Sequence, residues 1–451
     1  EAGTEGLVAL SGDQSGPLAI ACKREGSKGL TEALARIRTC FPGDRLYLEI
    51  QRHRRRGEAR WHRALLDLYE RSGLPMVATG GVLGARRSDR LVADVFSALR
   101  NHTILDGAGL SLESNGERRL RSPAEMEELF ADLPECVAEA GALADRLEFT
   151  LENLGYEFPT YRVPEGQTME SFLRKQVWEG ARKRYGSLSQ KVRRQLEHEL
   201  ALIAKLGFCG YFLLVWDLVL FCRKEDILVQ GRGSAANSAV CYSLGITPVD
   251  PVGAGLLFER FLSEGRKGWP DIDLDLPSGD RRERVIQEVY RKYTRRGAAM
   301  TANVITYRGR SVIRETGKAL GFPEEFLGRF SRLHGRGGFE GPEDFLEKAK
   351  DSGLPGDHPR AAAFARVASQ VKGLPRHLGQ HSGGMVIAEG ALDSVVPLEK
   401  ASMPGRSVVQ WDKDDCEDLG IVKVDLLGLG MMVAIQDSLS QATRRGRPVD
   451  L

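Results

Sequence analysis

What the chain has little of narrows its function first. Its seven cysteines, Cys22, Cys40, Cys136, Cys209, Cys222, Cys241 and Cys416, are scattered and form no CxxC pair. An odd, unpaired set excludes a disulfide framework, fits reduced thiols and argues against a zinc site. Clustered histidines are missing too. His53, His62 and His102 lack ligand spacing, which counts against a histidine-built metal phosphoesterase. Long apolar runs are missing as well: "GYFLLVWDLVLFC" at 210–222 is too short to span a bilayer, contains Asp217 and reads as a buried helix. No signal peptide is visible, so the chain reads as cytoplasmic with no membrane partner. Nor does one charge dominate: 64 Lys and Arg stand against 62 Asp and Glu, a formal net charge of +2. Whole-chain charge therefore does not announce nucleic acid. A local basic cluster such as Arg174, Lys175, Arg182, Lys183 and Arg184 suits nucleic acid or a solvated helix face.

What is present is ample for several cores: 451 residues suit about two to four domains. Up to about residue 145, short apolar runs ("GLVAL", "LYLEI", "PMVATG") alternate with amphipathic segments ("SKGLTEALARIRTCF", "RWHRALLDLYERSG"), an α/β pattern. "SPAEMEELFADLPECVAEAGALADRL" reads as one helical stretch capped by Ser122. "GYEFPTYRVPEGQTM" has two prolines and no helical period, and reads as a linker. Helices follow, then strand–turn–helix units, with a helical, Gly- and Pro-rich stretch over about 323–375. The chain starts at Glu1 and stops just after a new helix begins, so both ends read as cuts through a longer protein.

Three like charges crowd one short stretch, "GWPDIDLDLPSGD" at 268–280. In a strand, Asp271, Asp273 and Asp275 share one face while Ile272 and Leu274 face a core. Same-face Cα atoms then lie roughly 6.6 Å apart, and unneutralised carboxylates at that spacing repel. A divalent cation with a taste for hard oxygen, Mg²⁺ or Mn²⁺, removes the repulsion. A solvated acidic turn is the bland alternative. An EF-hand fails, because Leu276 and Arg282 occupy the places of its Gly and Glu. The helix that follows is expected to be capped by Ser278 or Asp280, with Val285, Ile286, Val289, Tyr290 and Tyr293 on one face.

Two further segments carry chemistry. In "ILVQGRGSAANSAVCYSLGI" a strand enters Gly231-Arg232-Gly233-Ser234 and a helix runs on to Leu244, the layout of a phosphate cradle. It has no lysine for a Walker loop, and such turns often only connect elements. In "LGIVKVDLLGLGMMVAI" a strand puts Val422 and Val424 on one side and Lys423 and Asp425 on the other, a plain ion pair or part of a site. Close carboxylates, a distant third, a phosphate-binding turn and several arginines suit nucleotidyl transfer with two Mg²⁺ ions about 3.5–4 Å apart.

Taken together and in this order, "GRGSAANSAVCYSLGI", "LLFERFL", "PDIDLD", "ITYR" and "VKVDLLGL" resemble the bacterial C-family DNA polymerases, the DNA polymerase III alpha-subunit family. "ANVITYRGRSVIRETGKALG", "PRHLGQHSGG" and "VVQWDKDDCEDLGIVKVDLLGLGM" make the error-prone branch the nearest match. The resemblance implies an α/β multidomain chain. A PHP-like α/β domain (1–145) precedes a polymerase-beta-type nucleotidyltransferase palm (146–308 and 379–430), a helical thumb insertion (309–378) and the start of the fingers (431–451). It implies catalytic, metal-binding Asp271, Asp273 and Asp425, with Asp275 as a supporting candidate. Gly231, Arg232, Gly233 and Ser234 would face the incoming triphosphate, with Arg260 and Lys423 as charge partners. Arg308 and Arg310 would touch DNA.

The activity so implied is extension of a primer 3′ end from dNTPs on template DNA, in error-prone translesion synthesis, with two Mg²⁺ or Mn²⁺ ions as cofactor. A sliding clamp and accessory mutasome proteins are the implied partners. The alternatives are a replicative alpha subunit, a PHP-type metal phosphoesterase or a non-catalytic assembly module. The sequence departs from the pattern where "PMVAT" runs into Gly80-Gly81-Val82-Leu83 instead of metal ligands, so the first domain is expected to be metal-free and structural. Fingers beyond Leu451 are expected to be needed for robust synthesis.

Overall fold

Fully apolar strands and amphipathic helices assemble as their patterns require. The structure, a computed structural model, describes residues 3–265, 269–447 and 449. Gly268 of the acidic stretch, the first two residues of the expected PHP-like domain, and residues 448, 450 and 451 of the expected fingers lie outside the described residues. The chain divides into two compact units, 1–150 with 306–374 and 151–305 with 375–451.

In the first unit, β1 (Ala9–Leu10), β2 (Leu46–Gln51) and β3 (Met76–Thr79) form a parallel sheet in that order. β2 is buried along nearly its whole length, as a strand covered by helices on both faces must be. Its core gathers Leu18, Leu46, Leu48, Ile50, Leu65 and Met76. Ser122 caps the helix Pro123–Leu129 in a reciprocal pair with Glu125. The single helix expected from 122 onward is two, because Pro134, which has no N–H to donate, opens a second at Pro134–Arg146. The same unit includes four helices, Gly309–Ala319, Glu324–His334, Gly341–Asp351 and Ala361–Val371. They share a core with the helix Arg90–Arg100 through Val92, Val95, Val312, Ile313, Phe330 and Phe364.

In the second unit a mixed seven-stranded sheet carries everything that follows. Its strands are β4 (Gln230–Arg232), β5 (Asp273–Pro277), β6 (Ala298–Thr306), β7 (Pro375–Ile387), β8 (Leu398–Lys400), β9 (Ser407–Val409) and β10 (Lys423–Leu429). They lie in the order β4-β5-β10-β7-β6-β9-β8. One face packs on helices whose core includes Leu196, Phe212, Val215, Leu218 and Val289. The apolar helix Cys209–Lys224 is buried there, and no single helix among the described residues is long and apolar enough to cross a membrane. The expected linker over 155–169 has no helix or strand up to residue 168, and its last residue opens the helix Met169–Tyr185. The helix after β5, Asp280–Gly297, is capped neither by Ser278 nor by Asp280: Gly279, at φ 83, is the cap residue, a left-handed turn that glycine enters at least cost. Its expected apolar face is in place, with Val285, Ile286, Val289 and Tyr290 buried and Tyr293 packed against them.

Candidate active site

Strand register builds one row of residues across the sheet. β4 runs antiparallel to β5 with Arg232 opposite Asp273. β5 runs parallel to β10 with Asp273 opposite Asp425. β10 runs antiparallel to β7 with Asp425 opposite Gly384. Neighbouring strands are about 4.8 Å apart, so the row brings acids from distant parts of the sequence together. Asp271, Asp273 and Asp425 each offer a carboxylate oxygen within 4.8 Å of the others. Ile272 and Leu274 are fully buried beneath them, as period-two alternation demands. Asp271 lies just before β5 rather than in it, because the Ile272 N–H donates to the buried Tyr211 hydroxyl (3.0 Å) instead of to a neighbouring strand.

The electrostatics of the cluster are unfinished without a cation. Lys423 Nζ donates to Asp271 Oδ1 at 2.9 Å and to Asp425 Oδ2 at 2.6 Å, so its ammonium bridges two of the three acids. Burial opposes that charge, yet the hydrogen bonds to Asp425 and Asp271 outweigh it and raise the Lys423 pKa. Asp273 is left with little compensation. Burial, then the charges of Asp271 and Asp425, push its carboxyl up to about 6. Among the described residues Asp425 Oδ1 is buried with no hydrogen-bond partner, a costly state for a carboxylate oxygen. An orphaned buried oxygen amid three hard oxygen donors fits Mg²⁺ or Mn²⁺. Asp275 is occupied otherwise: Arg232 Nε donates to its Oδ1 at 2.8 Å and Arg232 Nη2 lies 3.5 Å from Asp273 Oδ2, so Asp275 orients the arginine.

The glycine turn differs from the expected cradle. Gly233–Asn237 is a 3-10 turn, and the α-helix starts only at Ala239. Its N-terminus is not open to an external anion, because a carboxyl of the chain occupies it. Glu199, fully buried, accepts from the Ser238 hydroxyl (2.7 Å), Ala239 N (2.9 Å) and Val240 N (3.0 Å). What remains toward the row is the turn itself. Gly231 pairs with Leu274 beside Arg232. Gly233 sits at φ +67 with open space where a side chain would be, and Ser234 follows. Exposed Arg260 ends the 3-10 turn Phe258–Arg260, which packs against Gly233–Asn237. Arg308 and Arg310 belong to the other unit, exposed at the start of Gly309–Ala319, and are not among the residues gathered here. In that unit His53 Nε2 meets the Gly80 carbonyl (2.9 Å) and His62 Nε2 the Gln51 carbonyl (2.8 Å). Among the described residues, the acids of the row are the one group with metal-site geometry.

Sequence reasoning missed Glu199, Tyr211 and Gly384. Nothing local marks the first two. Gly384 was marked only as part of "HSGG": a Cβ there would lie 2.4 Å from Thr301 Oγ1, 3.0 Å from His381 Nδ1 and 3.2 Å from Asp425 Oδ1.

Comparison with known proteins bears on what such a row is for. A family model described as the bacterial DNA polymerase III alpha NTPase domain matches residues 171–428. Among curated proteins, an error-prone DNA polymerase of Alkalilimnicola ehrlichii is 46% identical over 412 residues, 91% of this chain and 40% of that protein. One of Mycobacterium tuberculosis is 44% identical over 447 residues, 98% of this chain and 39% of that protein. One of Nocardia farcinica is 45% identical over 441 residues, 94% of this chain and 37% of that protein. The chain thus spans about two fifths of the length of these relatives.

Proposed function

The chain belongs to the bacterial DNA polymerase III alpha family, and from that premise we propose that it carries the nucleotidyl-transfer centre of a DNA-templated DNA polymerase. The observation that carries the reading is the convergence of Asp271, Asp273 and Asp425 around a carboxylate oxygen that has no hydrogen-bond partner among the described residues. Asp271, Asp273 and Asp425 would hold two Mg²⁺ (or Mn²⁺) ions, which lower the pKa of the attacking 3′-hydroxyl and neutralise the leaving pyrophosphate. The chain's own groups position and neutralise. Lys423 holds Asp271 and Asp425 at fixed separation. Arg232, steadied by Asp275, faces the triphosphate with Gly231, Gly233 and Ser234 beside it, and Arg260 adds charge from the adjoining turn.

On this reading the palm, split as 146–308 and 379–430, makes up most of the second unit, with the fingers starting at 431. Residues 309–378 form a thumb, and Arg310, with Arg308 at its boundary, meets the duplex backbone. Residues 1–145 are a PHP-like structural domain. Similarity to proteins named error-prone DNA polymerase favours translesion synthesis. The protein then works on cytoplasmic DNA with a sliding clamp and mutasome proteins as partners. Primer extension by the full-length protein on damaged and undamaged templates, with Asp425→Asn as the control, tests this. Templated, Asp425-dependent synthesis that passes lesions is the expected result; no synthesis on either template rules the reading out.

A further inference from the structure

Two features beside the carboxylates are left unused by the proposed reaction. One is the run His381-Ser382-Gly383-Gly384. His381 Nδ1 accepts from Gly384 N at 2.6 Å and from Gly383 N at 3.1 Å. A ring nitrogen that accepts carries no proton, so the neutral imidazole keeps its proton on Nε2 and is a donor there. Among the described residues Nε2 has no partner. The Gly384 position lies close to both His381 Nδ1 and the orphaned Asp425 Oδ1, so the imidazole is anchored at the edge of the carboxylate cluster. The other feature is Arg282. Its Nε donates to the Leu426 carbonyl at 2.7 Å and its Nη2 to the Ser382 carbonyl, and it enters no ion pair among the described residues. Burial, then the charge of Arg406, lowers its pKa, as expected of a cation short of an anion.

Both residues line a cavity of about 670 Å³. Its described lining holds Arg282, Lys400, His377 and His381 against one carboxylate, Glu399, together with Arg406 and Arg232, which are paired with Glu283 and Asp275. Leu427 lines it too, on the same strand face as Asp425, so the cavity is continuous with the carboxylate row. In phosphoryl transfer the attacking and leaving oxygens are roughly in line. The cavity reaches from Arg232 on β4 to His381 on β7, so with the triphosphate at its β4 end the attacking hydroxyl comes from its β7 end.

We infer that the cavity seats the terminal phosphodiester of the primer strand, with His381 Nε2–H donating to a non-bridging oxygen and Arg282 supplying the counter-charge. The inference rests on the polymerase reading. It makes His381 a primer-binding residue and gives "HSGG" a purpose: two glycines let the backbone wrap the imidazole and orient its free donor.

The test uses the full-length protein and a primer-template whose 3′-terminal primer linkage is a methylphosphonate, which removes the anionic oxygen. In the wild type this linkage should weaken binding about tenfold or more, the scale of a charge-assisted hydrogen bond. His381→Asn keeps an oxygen to accept the two glycine N–H groups, but its amide N–H₂ ends about one bond short of the Nε2–H position. It should fold with unchanged Tm, bind normal primer-template about tenfold more weakly, leave the dNTP KM unchanged and lose the methylphosphonate penalty. No penalty in the wild type, equal penalties in both proteins, a penalty only from template-strand linkages, or an effect confined to dNTP KM would overturn the subsite. The wild-type arm decides even if the variant misfolds. If the wild type extends no primer at all, the polymerase reading falls and the subsite with it; extension without a primer-linkage effect removes the subsite alone.

Discussion

Asp425 on β10 stands directly opposite Asp273 on β5, in register in a parallel pair. Like charges so placed destabilise a sheet, and the fold relieves only part of the cost by inserting Lys423 between Asp425 and Asp271. The remainder falls on Asp273, which holds its proton up to about 6 against 3.8 for an ordinary aspartate. The sign follows. Below 3.8 both folded and unfolded forms are protonated; between 3.8 and about 6 only the folded form is, so this group's contribution to stability is lost as pH rises across that window. A divalent cation competes with that proton. Mn²⁺ should therefore raise the Tm clearly above about pH 7 and little below about pH 5, and Asp273→Asn should flatten the metal-free profile between. Thermal unfolding with and without Mn²⁺ across this range measures it; a metal effect independent of pH would count against Asp273 as a ligand.

Asp273→Asn or Asp425→Asn in the full-length protein should cut primer extension about a thousandfold or more, since several kcal/mol of transition-state charge stabilisation are at stake. Primer-template affinity without nucleotide should change little, because neither acid points at the duplex backbone in the proposed arrangement. Asp275→Asn should do less, acting through Arg232 and raising the dNTP KM. Single-turnover extension with separate binding titrations distinguishes the three. Equal loss in all would make Asp275 a ligand after all.

Much of this centre was legible because strand periodicity is short-range. Ile272 and Leu274 had to be buried if Asp271 and Asp273 shared a face, and Val422 and Val424 likewise placed Lys423 and Asp425. What periodicity cannot supply is which strand neighbours which. That β7 flanks Asp425, with Gly384 at the contact, depends on a sheet order in which β10 is inserted between β5 and β7. Glu199 was invisible for the same reason: it lies on another helix, 39 residues before Ser238, whose hydroxyl it accepts. Pro134 marks the two-helix break in the sequence, but amphipathic continuity across it reads as one helix.

Glu199, whose pKa burial raises, is the carboxyl that holds the helix start behind the glycine turn. Removing it by Glu199→Ala orphans the donors of Ser238, Ala239 and Val240, at about 1–3 kcal/mol for each unsatisfied group. Partial relaxation and water entry should leave a net loss of about 3–5 kcal/mol, toward the low end of the sum over these groups. Glu199→Gln retains one acceptor oxygen and should lose less. Urea denaturation ranks the two; if the alanine variant is as stable as wild type, the helix start finds other acceptors.

Gly384 offers the most local test of the row. An alanine Cβ there has nowhere to go: Thr301 Oγ1 at 2.4 Å, His381 Nδ1 at 3.0 Å and Asp425 Oδ1 at 3.2 Å surround it. Thr301 Oγ1 also donates to the Gly384 carbonyl at 3.2 Å, so it cannot simply turn away without losing a buried bond. Overpacking of this kind costs about 1–3 kcal/mol, and the relief must come partly from the Asp425 carboxylate. Gly384→Ala should therefore lower Mn²⁺ affinity and primer extension together, by more than its stability loss accounts for. Gly390→Ala is the control, since that exposed position has nothing within 4 Å of an added Cβ, and it should stay within about 0.5 kcal/mol of wild type. Mn²⁺ titration followed by Tm, with extension rates on the same samples, reads the outcome. A Gly384→Ala protein that binds metal normally would show that Asp425 is free to shift, and would remove the argument that β7 presses the orphaned oxygen into place.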